Sequence, residues 1–182
     1  MTLANLLTMF RMAMIPFFIM AIVYGHSVVA LWVFLGAGIT DALDGAIARF
    51  FNQRSALGAF LDPAADKLML TSAFVVLALP AMNLAYSIPV WLPVLTIARD
   101  VVIVLLTLIL HLTYGIKSFP PTIPGKATTL FQISFIVGVL LKNSYGLPGP
   151  LLVFLMWSVA GLTLVSGLHY IWKMRELIKG AA

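Results

Sequence analysis

The sequence predicts an all-α integral membrane protein with six transmembrane helices in a single domain over residues 1–182. Three observations predict it. Hydrophobic residues make up 62% of the chain and charged residues only 9%, where soluble domains carry about a quarter charged. Apolar runs long enough to cross a bilayer, about 20 residues each, recur from end to end. The breaks between them hold turn residues, and no polar stretch is long enough to form a second, soluble domain.

The runs fall at about 5–24, 29–50, 59–79, 89–113, 125–142 and 149–172. The first opens as TLANLLTMFRMAMIPFF, with no basic leader and no small-residue cleavage site. It reads as a membrane helix rather than a removable signal. Gly25-His26-Ser27 ends it, Asn52–Ser55 follows the second run, and Pro80–Ser87 follows the third. Tyr114–Pro124, with three prolines, and Asn143–Pro150 separate the last three. No internal repeat stands out. Cysteine is absent, which excludes a disulfide framework and thiolate chemistry.

Basic residues set the orientation. Arg49, Arg54 and Lys67 lie in or beside the second connection, Lys117 and Lys126 flank the fourth, and Lys173, Arg175 and Lys179 follow the sixth run. The odd connections hold only Lys142. The positive-inside rule then places both termini and the even connections in the cytoplasm. Trp91 and Trp172, at run ends, suit the membrane interface.

Negative charge is concentrated. Of six acidic residues, four stand in one stretch: Asp41, Asp44, Asp62 and Asp66. Asp41 and Asp44 are i and i+3 at the end of the second run, and Asp62 and Asp66 are i and i+4 at the start of the third. Each pair therefore shares a helix face. Carboxylates beside lipid are costly unless a cation holds them together. An oxygen-only donor set suits Mg²⁺, Mn²⁺ or Ca²⁺ rather than zinc. His26, His111 and His169 lie far from the cluster in sequence and read as interfacial polar residues. Gly45 and Gly58 let backbone or ligand approach closely, although each alone reads equally as a helix-packing glycine. Arg49 falls near the face of Asp41 and Gly45 and is a natural phosphate partner.

Other polar residues sit inside the runs. Asn5, Thr8 and Arg11 recur at three-residue spacing and form one stripe. Arg11 either lines a pocket or extends to the headgroups. Arg99-Asp100, near the middle of the fourth run, is either a structural ion pair or a substrate contact. Lys126, Thr129 and Gln132 form a second stripe on the fifth run.

A divalent-metal cluster beside arginines, open to the cytoplasm and bordered by lipid, points to phosphoryl-group chemistry on a lipid. A cation transporter is the alternative from another class, though the carboxylates cluster at one membrane face and no broken-helix repeat pair is visible. A structural Mg²⁺ staple needs fewer than four carboxylates. A nucleic-acid partner is not expected.

The pattern Asp41-x2-Asp44-Gly45-x2-Ala48-Arg49, eight residues, then Gly58-x3-Asp62-x3-Asp66 resembles the complete signature of the CDP-alcohol phosphotransferases, phosphatidylglycerophosphate synthase and cardiolipin synthase branch. Asn5-Leu-Leu-Thr8-x2-Arg11 resembles the family's first helix, and Leu61-Asp62-Pro63-x-Ala65-Asp66-Lys67 its phosphatidyl-transferring members. The resemblance implies the family's six-helix fold, cytosolic termini, a homodimer and residence in a bacterial inner membrane. It implies that Asp41, Asp44, Asp62 and Asp66 bind one or two Mg²⁺ or Mn²⁺, with Asp66 also the general base. It further implies that Asn5, Thr8, Asp41, Gly45, Arg49 and Gly58 bind CDP-diacylglycerol, and that Arg11, Arg99 and Lys126 bind a glycerol-type acceptor. Enzymes that use glycerol 3-phosphate usually carry Arg-Glu in the fourth helix and another arginine two turns later. Here Arg99-Asp100 and Thr107 stand there. With NQRSALGAFLDPAADK and Pro121-Thr122, they favour phosphatidylglycerol as acceptor; glycerol 3-phosphate is the alternative.

Overall fold

The computed structural model describes residues 3–50, 56–114, 122–146 and 149–181, with side chains at 8–41, 64–110, 112–113, 122–146 and 149–176. Among these there are six α-helices and no strand: α1 Leu3–Val23, α2 Ser27–Phe50, α3 Ala56–Ala78, α4 Trp91–Tyr114, α5 Ile123–Tyr145 and α6 Pro150–Ala181. All six expected runs are helical. The main difference is α6, which continues nearly three turns past Trp172. Four of the nine residues it adds, Lys173, Arg175, Glu176 and Lys179, are charged yet good helix formers, so the apolar run ends before the helix does.

Within the described residues, Trp91–Leu110, Ile123–Tyr145 and Pro150–Glu176 are long and apolar enough to cross a membrane, and Thr8–Val23 and Ser27–Asp41 are shorter apolar stretches. Large apolar side chains cover the outside, among them Leu112, Leu130, Trp157 and Leu168. Lipid is the solvent such a surface requires. The connections that hold Arg54 and Lys117 lie outside the described residues.

The chain forms two compact units, residues 1–88 with 136–148, and residues 89–135 with 149–182. In the first unit α1 packs on α2 and α3. Ala30, Ala37, Ala65 and Ala73 are buried with Phe18, Ile22, Phe74 and Leu77, and such small residues let helix backbones approach without a hydrophobic driving force from water. Phe18 and Phe34 meet at 5.9 Å between ring centroids. Pro16 lies inside α1, which continues through it.

The turn from α1 to α2 follows from Gly25. Its φ of +76° is left-handed, and the Gly25 N–H donates to the Ile22 carbonyl at 3.0 Å while the His26 N–H donates to the Ala21 carbonyl at 2.8 Å. Those two bonds satisfy carbonyls that a helix end leaves open. Beyond α3, a single turn of 3₁₀ helix over Pro80–Met82 ends at Asn83, also left-handed. The chain then returns to α3, where the Ile88 N–H donates to the Leu77 carbonyl at 3.0 Å. Asn143 on α5 pins this connection from both sides. Its Oδ1 accepts from the Tyr86 N–H at 2.9 Å and its Nδ2 donates to the Tyr86 carbonyl at 3.0 Å.

In the second unit α4 packs on α6, and Trp91 and Trp157 stack at 5.8 Å. Buried hydroxyl residues thread this unit: Thr96, Thr122, Thr128, Thr163 and Ser166. Most satisfy themselves locally, as Thr163 does on the Val159 carbonyl. Thr128 bonds the Pro124 carbonyl at 2.8 Å and reaches the Leu162 carbonyl on α6 at 3.2 Å.

Replacing Asn143 with leucine removes both partners of the Tyr86 backbone. We expect a loss of about 1–3 kcal/mol, read as a lower unfolding midpoint of the detergent-purified protein.

Candidate active site

Asp41 and Asp66 stand on different helices, and α1 brings a cation between them. Arg11 lies on α1 with 2% of its side chain exposed. Its Nη2 meets Asp41 Oδ1 at 2.7 Å, and its Nη1 donates to Asp66 Oδ1. Each carboxylate keeps 43% of its side chain exposed. A guanidinium suits this place because its planar fork can serve two acceptors in fixed directions. Burying it is tolerable only because anions compensate its charge.

The local sequence explains the arrangement. Thr8, fully buried one turn before Arg11, continues the stripe expected on α1. Ala65, beside Asp66, is also fully buried, so the start of α3 can approach α1 closely. α2 is helical through Asp41 and Asp44, and α3 through Asp62 and Asp66, so both carboxylate spacings fall on continuous helix. The side chains of Asn5, Asp44, Arg49 and Asp62, and the surroundings of Gly45 and Gly58, lie outside the described residues. Among the described residues no three metal-ligating side chains gather.

The donor set can be tested for metal from what is described. Two carboxylates from two helices converge within the width of one guanidinium, and every acidic residue of the signature offers oxygen alone. Such a set fits Mg²⁺ or Mn²⁺. His26 is exposed, and His169 packs against the Trp172 ring at 5.9 Å; the His111 side chain lies outside the described residues.

The second unit holds a second buried arginine. Arg99 on α4 is 8% exposed. Its Nη1 meets Asp100 Oδ1 at 2.7 Å, its Nη2 donates to Ser166 Oγ on α6, and its guanidinium carbon lies 5.9 Å from the Tyr170 ring centroid. Its Nε is buried with no hydrogen-bond partner. Gly125, in the first turn of α5, borders it: a Cβ there would lie 3.1 Å from Thr122 Oγ1 and 3.4 Å from Arg99 Nη2. Thr122 caps α5, its Oγ1 accepting from the Gly125 N–H at 3.2 Å. Along the stripe expected on α5, Lys126 is exposed, Thr129 half-buried and Gln132 buried. Thr107 spends its hydroxyl on the Ile103 carbonyl at 2.8 Å.

Ser166, Tyr170 and Gly125 were not legible as part of an arginine's surroundings. The Thr122-x2-Gly125 cap is a local signal that could have singled out Gly125. Ser166 had none, because a lone serine in an apolar helix usually bonds its own helix backbone.

Residues 1–165 match the model of the CDP-alcohol phosphatidyltransferase family. A Mycobacterium tuberculosis protein named "Probable phosphatidylglycerophosphate synthase" is 34% identical over 98% of this chain and 84% of its own length. A "Cardiolipin synthase (CMP-forming)" of Streptomyces coelicolor is 31% identical over 98% of this chain and 85% of its own. One of that name from Rattus norvegicus is 30% identical over 98% of this chain and 64% of its own. The chain belongs to the CDP-alcohol phosphatidyltransferase family and is an enzyme, a phosphatidyltransferase that uses CDP-diacylglycerol. Membership sets aside the cation-transporter alternative.

Gly125→Val crowds Thr122 Oγ1 and Arg99 Nη2 together. It should cost about 1–3 kcal/mol, seen as a lower unfolding midpoint, whereas Gly36→Ala, with open space around its Cβ position, should leave the midpoint nearly unchanged.

Proposed function

We propose that this enzyme transfers the phosphatidyl group of CDP-diacylglycerol to phosphatidylglycerol, forming cardiolipin and releasing CMP. The convergence of Asp41 and Asp66 on Arg11 carries the reading of the site. Asp41, Asp44, Asp62 and Asp66 would hold one or two Mg²⁺ or Mn²⁺, which when bound supplies positive charge to the substrate diphosphate and to departing CMP. Gly45, Arg49 and Gly58 hold the cytidine monophosphate portion, and Asn5 and Thr8 also contact the CDP-lipid. Asp66 takes the proton of the acceptor hydroxyl. The oxygen then forms a bond to the phosphorus that bears the diacylglycerol, and the bond from that phosphorus to CMP breaks with its electron pair leaving on CMP. A carboxylate already ionised and within reach of the hydroxyl needs no raised pKa for this task.

Two observations support phosphatidylglycerol over glycerol 3-phosphate. Thr107 stands where the glycerol-phosphate enzymes usually carry a second arginine, and its hydroxyl is engaged by its own helix. Arg99 already meets Asp100 and Ser166, so it offers a phosphate less than an open guanidinium would. Lys126, exposed in the first turn of α5, presents a more open cation to an acceptor. The distribution of basic residues supports a cytoplasm-facing site in a bacterial inner membrane, and the family resemblance supports a homodimer.

An acceptor panel tests this reading. Purified protein with labelled CDP-diacylglycerol and Mn²⁺ is given phosphatidylglycerol, glycerol 3-phosphate, serine or inositol phosphate, and the lipid product is identified. Cardiolipin is expected. Phosphatidylglycerophosphate as the sole product would move the acceptor to glycerol 3-phosphate. Asp66→Asn should lower turnover by at least about a hundredfold, the usual scale of a lost general base, with CDP-lipid affinity retained. Normal turnover would contradict the base assignment.

A further inference from the structure

Arg11 occupies a place that acceptor binding does not explain. Both terminal nitrogens are directed at carboxylates of different helices, and the side chain is almost wholly buried. The compensation runs both ways. Asp41 and Asp66 make the buried cation tolerable, and the cation offsets the repulsion of two carboxylates that α2 and α3 bring together. A divalent ion bound by the same carboxylates would offset the same repulsion. Arg11 and metal are therefore rivals for one negative field, and burial of the guanidinium limits the screening that would weaken their rivalry in water.

We propose that Arg11 is a positioning residue that pre-assembles Asp41 and Asp66 and sets how tightly the cluster binds divalent metal. The inference rests on the reading of Asp41 and Asp66 as metal ligands. It gives Arg11 two separable effects. Its charge opposes metal binding, and its fork holds the two carboxylates in register across α1, α2 and α3. Lysine keeps the first effect and loses the second, because one ammonium on a flexible stem cannot present two fixed, diverging donors. Methionine, with similar length and no charge, loses both.

The test is Mn²⁺ binding to the full-length protein without substrate, followed by loss of the free-ion paramagnetic resonance signal, for the wild type, Arg11→Met, Arg11→Lys and Asp41→Ala. Arg11→Met should bind Mn²⁺ at least about tenfold more tightly than the wild type, as expected when a neighbouring unit charge is removed from a partly desolvated site. Its unfolding midpoint should also rise more on adding Mn²⁺, since tighter binding to the folded state stabilises it further. Arg11→Lys should stay within about threefold of wild-type affinity, because the charge remains, while its turnover falls. Wild-type or weaker affinity in Arg11→Met overturns the proposal. Should Arg11→Met fail to fold, the lysine variant decides: tenfold tighter binding by Arg11→Lys overturns the proposal, and near wild-type affinity with reduced turnover supports it. Asp41→Ala separates this inference from the reading beneath it. Lost Mn²⁺ affinity in Asp41→Ala with none gained in Arg11→Met overturns the role of Arg11 alone. Unchanged affinity in Asp41→Ala removes the metal site and the inference together.

Discussion

A cation buried beside lipid must be met by anions, and Arg11 is met by two. That constraint ties α1 to both helices of the signature, because Asp41 and Asp66 come from α2 and α3. Removing one partner of such an arrangement leaves a charge in a poor solvent, which is why breaking buried pairs costs more than the pairs themselves contribute. Small residues make the approach possible. Ala37 and Ala65 are buried close in sequence to Asp41 and Asp66, so helix backbones draw near where the carboxylates must meet.

The second unit answers the same constraint with different chemistry. Arg99 has one carboxylate, from its own chain neighbour, and completes its surroundings with a hydroxyl and an aromatic face. Gly125 leaves room for it and Thr122 caps the helix that carries Gly125. A guanidinium whose two terminal nitrogens are both engaged is better suited to holding α4 and α6 together than to capturing a free phosphate, which leaves Lys126 and the absence of a second arginine at Thr107 to support the acceptor.

Much of the fold was legible in the sequence because lipid leaves the backbone few choices. Apolar length places each helix, and Gly25 marks the first turn by a conformation that other residues adopt only with strain. The end of α6 was not legible from hydropathy, since Lys173, Arg175, Glu176 and Lys179 interrupt its last turns. The signature carboxylates were legible from spacing and resemblance alike. What they pair with was not: Arg11 and Asp66 are 55 positions apart, and only helix packing brings them together. Spacing placed Thr8 and Arg11 on one stripe of α1, and both are buried, but composition alone could not distinguish a cation aimed at an acceptor from one aimed at Asp41 and Asp66. Ser166 was hidden for a related reason, as its partner lies on another helix.

The proposed divalent-metal centre draws Asp41 and Asp44 from α2 and Asp62 and Asp66 from α3, the two helices that α1 joins through Arg11. Anomalous scattering from crystals grown with Mn²⁺ and CDP-diacylglycerol tests it most directly. Manganese peaks bounded by Asp41, Asp44, Asp62 and Asp66 are expected, with the diphosphate of the lipid against them. Manganese bound away from these carboxylates, or a diphosphate seated in the other unit, would contradict it.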